Sequence, residues 1–195
     1  VTIEDVRYVL AAHYQGTPYD PYGTLGTDKT RSMYRPIGIN RNCQLAVLQI
    51  RPYVPQSHRG VQWMSFGSNP FNALVPFFTN VREAPEYLAN TTARVSTDSF
   101  YWANRLIAAL ADARFRDNEN AIDRYREKVG AFGHKLIHET DEALACCPEE
   151  DVQAVLAAAN LRMADYLREQ TDALLSKVLY TTSLAMKNHF AMSDN

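Results

Sequence analysis

The sequence has few cysteines, no long apolar run and no excess of basic charge, and each of these shortages excludes a class of protein. Its three cysteines, Cys43, Cys146 and Cys147, are a poor disulfide framework and are typical of thiols in a reducing compartment. No apolar stretch approaches the roughly 20 residues that cross a bilayer, and the first residues do not resemble a signal peptide. The net charge of −2 provides no basic footprint for nucleic acid. We therefore expect a cytoplasmic protein that binds neither membranes nor nucleic acid.

Complete catalytic and metal-binding motifs are also missing. His134 and His138 are four residues apart, but Lys135 stands where the zinc motif H-E-x-x-H has its general-base glutamate. We interpret the two histidines as a solvated or capping pair. The two adjacent cysteines lack metal-site spacing, and Cys43 has no base beside it in the sequence, so we do not assign it as a nucleophile. We expect no metal and no cofactor.

The first half of the chain mixes a helix, a long loop and strands. Helical spacing of apolar residues predicts a helix over 3–14, with Thr2 and Asp5 close to a capping box. Residues 17–42 are rich in Gly, Pro and Tyr and predict an ordered loop. The apolar runs at 44–51 and 61–66 predict two strands buried on both faces, followed by an apolar turn region.

The second half is predicted to be helical. A helix start at 96–98, a seam of three- and four-residue steps over 122–147 and a third helix over 152–178 predict an antiparallel helix hairpin. The fold class is α+β: a short strand pair followed by a long C-terminal helical region. Residues 1–95 and 96–195 are the two predicted parts of one structural unit. Acidic residues on these helices are predicted to be solvated surface: Asp117, Glu119, Glu127, Glu139 and Asp141.

Several stretches together resemble the C-terminal half of the bacterial cysteine dipeptidases of the N-terminal-nucleophile (Ntn) hydrolase superfamily. The Ser99–Trp102 segment and a C-terminal helix ending near Asn188 fit the same family. The stretches that carry the resemblance are YQGTPYDPY at 14–22, YRPI at 34–37, LQIR at 48–51, VQWMSFG at 61–67 and LVPFFTN at 74–80.

The resemblance implies a fold and a mechanism. The family folds as an αββα sandwich, two stacked sheets between helix layers, of which this chain would form a part. Its nucleophile is a cysteine at a processed chain N-terminus, whose own amino group can act as the base. Because Val1 begins this chain, the nucleophile is expected upstream, and no catalytic residue is assigned here. The implied activity is that of a thiol protease, hydrolysis of a small peptide, with the chain alone inactive. Expected partners are the upstream N-terminal segment and further copies in a homo-oligomer.

Three residues of the loops are predicted to line the substrate pocket. A dipeptide carries two opposite terminal charges, so its site needs fixed counter-charges. Asp20 and Arg35 in the long loop meet that need, and Asn69 after the second strand is a further donor. Ordinary loop capping and surface pairing remain the alternative explanation for all three.

Two other functions stay open at the level of the sequence. The seam from Ile122 to Cys147 could serve a non-catalytic module that self-associates, in which case charges at Val129 and Leu136 would abolish oligomers. The same superfamily also includes amidases and acylases, which act on non-peptide amides.

Overall fold

The computed structural model describes residues 1–31 and 33–187. The chain is α+β, as predicted, and its described part contains six α-helices, three strands and two short 3-10 turns, at Gln56–His58 and Glu149–Asp151. In chain order the helices and strands are α1 (Ile3–Leu10), α2 (Asp28–Arg31), β1 (Gln44–Ile50), β2 (Gly60–Phe66), β3 (Val75–Phe78), α3 (Glu86–Ala89), α4 (Phe100–Asp112), α5 (Phe115–Leu144) and α6 (Val152–Ser183).

The three strands form one antiparallel sheet in the order β1-β2-β3. Val47 of β1 pairs with Trp63 of β2, which pairs with Pro76 of β3. Both predicted strands are present, but the prediction missed β3, which it described as an apolar turn region. A proline lacks the N–H that a central strand needs, so a short run containing Pro76 reads as a turn, yet prolines are tolerated on edge strands such as β3.

The two faces of the sheet have different surroundings. Leu45, Val61 and Trp63 lie on the face that the helices cover, and all three are buried. On the opposite face Leu48 is 73% exposed and Ile50 is 68% exposed. The prediction that both strands are buried on both faces is therefore wrong for β1, and β2 is only half-buried on this face. The same face is covered at β3, where Val75 and Phe77 are 0% and 7% exposed. An apolar run indicates that a strand has two faces to bury, whereas the described part of this chain covers β1 on one face only.

The two edges of the sheet also differ. The amide of Asn160 on α6 acts like a neighbouring strand for β3: its Oδ1 accepts from the Phe78 N–H at 2.9 Å, and its Nδ2 donates to the Phe78 carbonyl at 3.0 Å. Along the outer edge of β1, no backbone hydrogen bond arrives from the described residues. The sheet is therefore closed at β3 and open at β1.

Helices α5 and α6 form the predicted antiparallel hairpin. Early residues of α5 contact late residues of α6, because Tyr125 bonds to Thr171 at 2.9 Å whereas Glu139 pairs with Arg162 at 3.1 Å. The sheet lies against both helices, and α4 packs on α6. Helix α6 ends at Ser183, and the helix end predicted near Asn188 lies outside the described residues. Among the described residues, none of the helices is long and apolar enough to cross a membrane.

A buried arginine ties the β1–β2 hairpin to α5. Arg51 donates to Asp141 Oδ2 at 2.6 Å and to the His58 carbonyl at 2.6 Å, and its guanidinium lies 5.6 Å from the centre of the Phe78 ring. The prediction that Asp141 is solvated surface is wrong, because a buried guanidinium needs a nearby counter-charge. Nothing in the sequence around Asp141 indicates that Arg51 is its partner.

Candidate ligand-binding cleft

Helices α1 and α5 enclose a cleft with a volume of about 480 Å³. We call it the α1–α5 cleft. Its volume is within the range of small-molecule sites. A capping box fixes the start of α1, with Asp5 N–H donating to Thr2 Oγ1 at 3.1 Å and Thr2 N–H donating to Asp5 Oδ2 at 2.8 Å. The side chains used below line the cleft from both helices and from the sheet: Glu4, Arg7, His13, Trp63, Leu74, Phe115, Glu119, Asp123, Arg126, Glu127, Gly130 and His134.

The apolar part of the cleft wall comes from the protein core. Trp63 of β2, Leu74 before β3 and Phe115 at the start of α5 are buried and also line the cleft. The Trp63 ring lies 4.8 Å from the ring of His134, and its Nε1–H donates to Gln49 Oε1 at 2.8 Å. This buried surface offers an apolar wall against which an apolar side chain of a ligand can pack.

Two glycines of α5 show which side of the helix is packed and which is open. A Cβ added at Gly133 would lie 2.7 Å from Pro76, so close packing against β3 requires a glycine there. A Cβ added at Gly130 would meet nothing within 4 Å, and Gly130 lines the cleft. Glycine within a helix costs about 1 kcal/mol relative to alanine. Packing within the chain therefore does not explain Gly130.

Two arginines bring desolvated positive charge to the cleft. The side chain of Arg126 is only 13% exposed and donates to Asp123 Oδ1 at 2.9 Å and to the carbonyls of Asn72 and Asn69 at 3.1 and 3.4 Å. Burial, and next the positive charge of Arg7, lower the Arg126 pKa to about 10. Burial also lowers the pKa of Arg7, which the charges of Asp123 and Glu4 offset only in part. The Arg7 guanidinium makes no hydrogen bond or ion pair within the described residues.

Acidic side chains supply the opposite charge. Glu4 on α1 bonds to His134 on α5, with 2.6 Å between Oε1 and Nε2, which joins the two walls. Glu119 and Glu127 are exposed at the cleft and make no ion pair with another side chain in the described part of the chain. The cleft therefore presents fixed charges of both signs.

A histidine–aspartate pair lies at the end of the cleft where α1 finishes. Tyr14 has a left-handed backbone with φ of 64°, and the chain turns there so that Asp20 reaches back to His13. His13 Nδ1 lies 3.0 Å from Asp20 Oδ1, and both side chains are buried. The imidazole packs edge-on against Tyr22 and Phe115. Asp20 thus fixes the orientation of an imidazole that lines the cleft.

The three predicted pocket residues are not all brought together. Asp20 adjoins the cleft through His13 and also accepts from the Tyr22 N–H at 2.9 Å, which is an ordinary turn contact. Asn69 is buried beneath the cleft, where its Nδ2 donates to the Leu10 carbonyl at 3.2 Å and its Oδ1 lacks a partner. Arg35 is exposed, and its carbonyl accepts from the Tyr14 hydroxyl at 3.3 Å. No hydrogen bond within the described ranges joins Arg35 to the other two, so their shared role in a pocket stays a prediction.

The residues that sequence reasoning missed are those that only the fold brings together. Arg7 and Arg126 are far apart in the chain, and each has the spacing of an ordinary helix-surface residue. Two local signals were available: a glycine at 130 inside a long helical pattern, and a histidine at 13 where helix α1 gives way to the tyrosine-rich loop. The histidines at 134 and 138 are exposed, as expected for a solvated pair, and His134 in addition bonds to Glu4 and so joins α1 to α5.

The cysteines lie away from this cleft. All three are free; Cys43 and Cys146 are exposed and Cys147 is half-buried. Within the part of the chain that the structure describes, no three His, Cys, Asp or Glu side chains are grouped so that they could hold a metal ion.

Comparison with known proteins identifies the class to which this α+β chain belongs. Residues 1–128 match the model of peptidase family C69. Relatives matched over the whole chain or most of it carry dipeptidase names, in line with the family of bacterial cysteine dipeptidases that the sequence resembles. The chain belongs to peptidase family C69.

Three relatives show how much of a longer protein the chain represents. It is 52% identical to a dipeptidase of Bifidobacterium longum (strain NCC 2705), with all of this chain aligned to 44% of the relative. It is 48% identical to probable dipeptidase A of Streptococcus pyogenes serotype M3, again over its whole length and 41% of the relative. Identity to dipeptidase A of Lactobacillus helveticus is 40%, over 92% of this chain and 38% of the relative. The chain spans about two-fifths of the length of these curated relatives.

Proposed function

We propose that this chain is the C-terminal part of a dipeptidase that hydrolyses the peptide bond of small peptides. The observation that carries the proposal is the similarity over the entire chain, at 48–52% identity, to proteins named as dipeptidases. Identity at this level favours a shared reaction as well as a shared fold.

The nucleophile is proposed to be a cysteine upstream of Val1, at a processed N-terminus. Its thiolate attacks the peptide carbonyl, hydrogen-bond donors stabilise the resulting oxyanion, the amine leaves, and water then releases the acyl group. The cysteines of this chain are poor candidates for that role. Cys43 is exposed, lies just before β1 and has its Sγ 3.7 Å from the Arg41 carbonyl. It has no histidine partner among the described residues.

The open face of the sheet is proposed to receive the second sheet of an αββα sandwich. Ala46, Leu48 and Ile50 of β1 lie on this face in register with Met64 and Gln62 of β2 and with Gly60. Apolar strand faces of this kind are stable when another layer covers them. More than half of the length of the aligned relatives lies outside the matched region, which is ample chain for a second sheet.

The structure disfavours the self-associating module. Ile122, Val129 and Leu136, which define the predicted seam, are buried against the rest of the chain, with 0%, 0% and 2% of their surfaces exposed. The seam is thus occupied by α6 and does not offer a surface to a second copy. A homo-oligomer formed through other surfaces remains a prediction.

An amidase or acylase of the same superfamily remains the second candidate for the reaction, and the names of the relatives favour peptides. A peptidase, an acylase and an amidase are distinguished by assaying the longer protein with a dipeptide, an N-acylated amino acid and a simple amide. We expect turnover of dipeptides only, and its loss when the cysteine at the mature N-terminus is replaced by alanine. Turnover of the acylated amino acid alone would contradict the peptidase assignment, and activity without that cysteine would contradict the mechanism.

A further inference from the structure

We infer that the α1–α5 cleft is a binding site for a small zwitterion, an amino acid or a dipeptide, whose carboxylate pairs with Arg7. The identity of the ligand rests on the proposed function, whereas the site itself rests on the geometry of the cleft. The sequence assigned no role to Arg7, Arg126 or Gly130.

The carboxylate end of the ligand is placed by the two arginines. Arg7 is half-buried in the cleft without a hydrogen-bond partner among the described residues, and its positive charge helps to lower the pKa of the buried Arg126, which lines the same cleft. Asp123 bonds directly to Arg126 and not to Arg7. A ligand carboxylate beside Arg7 would form the charge-assisted bond that the chain itself does not provide, and would relieve the repulsion between the two cations.

The ammonium end is placed by the unpaired acids. Glu119 and Glu127 line the same cleft, whereas Glu4 is already bonded to His134. A simple anion would gain from Arg7 but would be repelled by these carboxylates, so the charge pattern favours a ligand with both charges. The buried surfaces of Trp63, Leu74 and Phe115 fit an apolar side chain between them.

Gly130 supplies the independent observation. A Cβ at Gly130 would meet nothing within 4 Å, so the glycine does not relieve a clash within the chain. The lack of a side chain at this position instead leaves space in the cleft. The neighbouring Gly133, which a Cβ would bring 2.7 Å from Pro76, has a packing reason of its own. Space kept open beside an unpaired guanidinium is what a ligand site requires.

The test is calorimetric titration of the longer protein with leucine, in the parent protein and in the variants Arg7→Ala, Gly130→Leu and Arg124→Ala. Arg124 is exposed on α5 outside the cleft and serves as the matched control. We expect the parent protein and Arg124→Ala to bind leucine equally, and Arg7→Ala and Gly130→Leu to bind it about tenfold more weakly or worse. Leucinamide, which lacks the carboxylate, and N-acetylleucine, which lacks the ammonium, should both bind the parent protein weakly.

The Michaelis constant for dileucine separates the two sources of the zwitterion. A KM raised by Arg7→Ala together with weaker leucine binding makes the dipeptide substrate the occupant, and an unchanged KM with weaker leucine binding makes the product amino acid the occupant. Absence of leucine binding in the parent protein, with KM unaffected by either cleft variant, would overturn the inference and leave dipeptide hydrolysis standing. Leucine binding that depends on Arg7 in a protein that hydrolyses no dipeptide would leave the site standing and remove the proposed function.

Discussion

The two faces of the sheet are built from similar apolar residues, but at β1 one face is covered and the other is open. On the helix-covered face Trp63 is buried and hydrogen-bonded, and a charge cluster anchors the β1–β2 hairpin to α5. On the open face Leu48 and Ile50 are exposed although a strand of this composition is suited to burial. The covered face therefore stabilises this chain, whereas the open face at β1 leaves apolar surface exposed, which is why we propose that a further layer packs there.

The largest effect is expected on the covered face, for Trp63→Ala. Removing a buried indole leaves a cavity and an unpaired Gln49, and such changes cost about 3–5 kcal/mol. Chemical denaturation of the chain measures the loss. The control is Leu48→Ala on the open face, which should change the free energy of unfolding by no more than about 0.5 kcal/mol. Equal losses for both variants would show that the two faces do not differ in burial.

The next largest effect concerns the charge cluster, through Asp141→Asn. The substitution keeps the shape of the side chain but leaves Arg51 without its counter-charge, 2.6 Å away in the structure. Breaking a buried pair from one side costs about 3–5 kcal/mol, and because the Asp141 side chain is 23% exposed we expect about 2 kcal/mol. Glu142→Gln, at an exposed neighbour, should change stability by less than about 0.5 kcal/mol in the same denaturation experiment. If Asp141→Asn left the free energy of unfolding unchanged, Arg51 would be solvated and its ion pair would not stabilise the packing of the β1–β2 hairpin on α5.

The closed edge of the sheet is tested by Asn160→Leu. This variant replaces the amide by an apolar side chain of similar size and deprives the Phe78 N–H and carbonyl of their partners, which costs about 1–3 kcal/mol for each buried group left unsatisfied. Hydrogen exchange should accelerate at the Phe78 amide while the Gln49 amide of β1 changes only with global stability. Unchanged protection at Phe78 would show that Asn160 does not close this edge.

The smallest effect is a pH dependence that comes from His58. Burial is the main reason why the His58 pKa is lowered, with Asp141 opposing the shift and Arg51 adding to it. The unfolded chain therefore takes up this proton before the folded chain does, so stability is complete above the ordinary histidine pKa of about 6.5 and decreases as the pH falls below it. Denaturation midpoints between pH 7.5 and 5.5 should decrease less in His58→Gln than in the parent chain. An equal decrease would assign the acid sensitivity to other groups.

The sequence predicted the four longer helices and two of the strands because their signals are local, and it missed the one-turn helices α2 and α3. Apolar spacing located α1, α4, α5 and α6, and short apolar runs bounded by polar residues located β1 and β2. What covers a strand is not local, so the exposure of Leu48 was missed, and so was the pairing of Arg51 with a residue 90 positions away.

The candidate site was predicted even less well, for the same reason. Asp20 was selected for its charge, but its partner His13 became apparent only when the turn at Tyr14 brought the two together. Arg7 and Arg126 have no sequence signature, since each becomes unusual only through burial beside the other. A glycine at 130 within a helical pattern can be recognised from the sequence. Only the structure shows that close packing, which explains Gly133, does not explain Gly130.

The most direct test is the reconstitution of dipeptide hydrolysis from two pieces, the 195-residue chain and the proposed upstream segment. One version of the chain carries Leu48→Asp on the open face, and the control carries Leu179→Asp on the exposed side of α6. We predict that the parent chain and Leu179→Asp bind the upstream segment and restore hydrolysis, and that Leu48→Asp does neither. Assembly and hydrolysis that survive Leu48→Asp would contradict the claim that the open face of this sheet joins the chain to the rest of a dipeptidase.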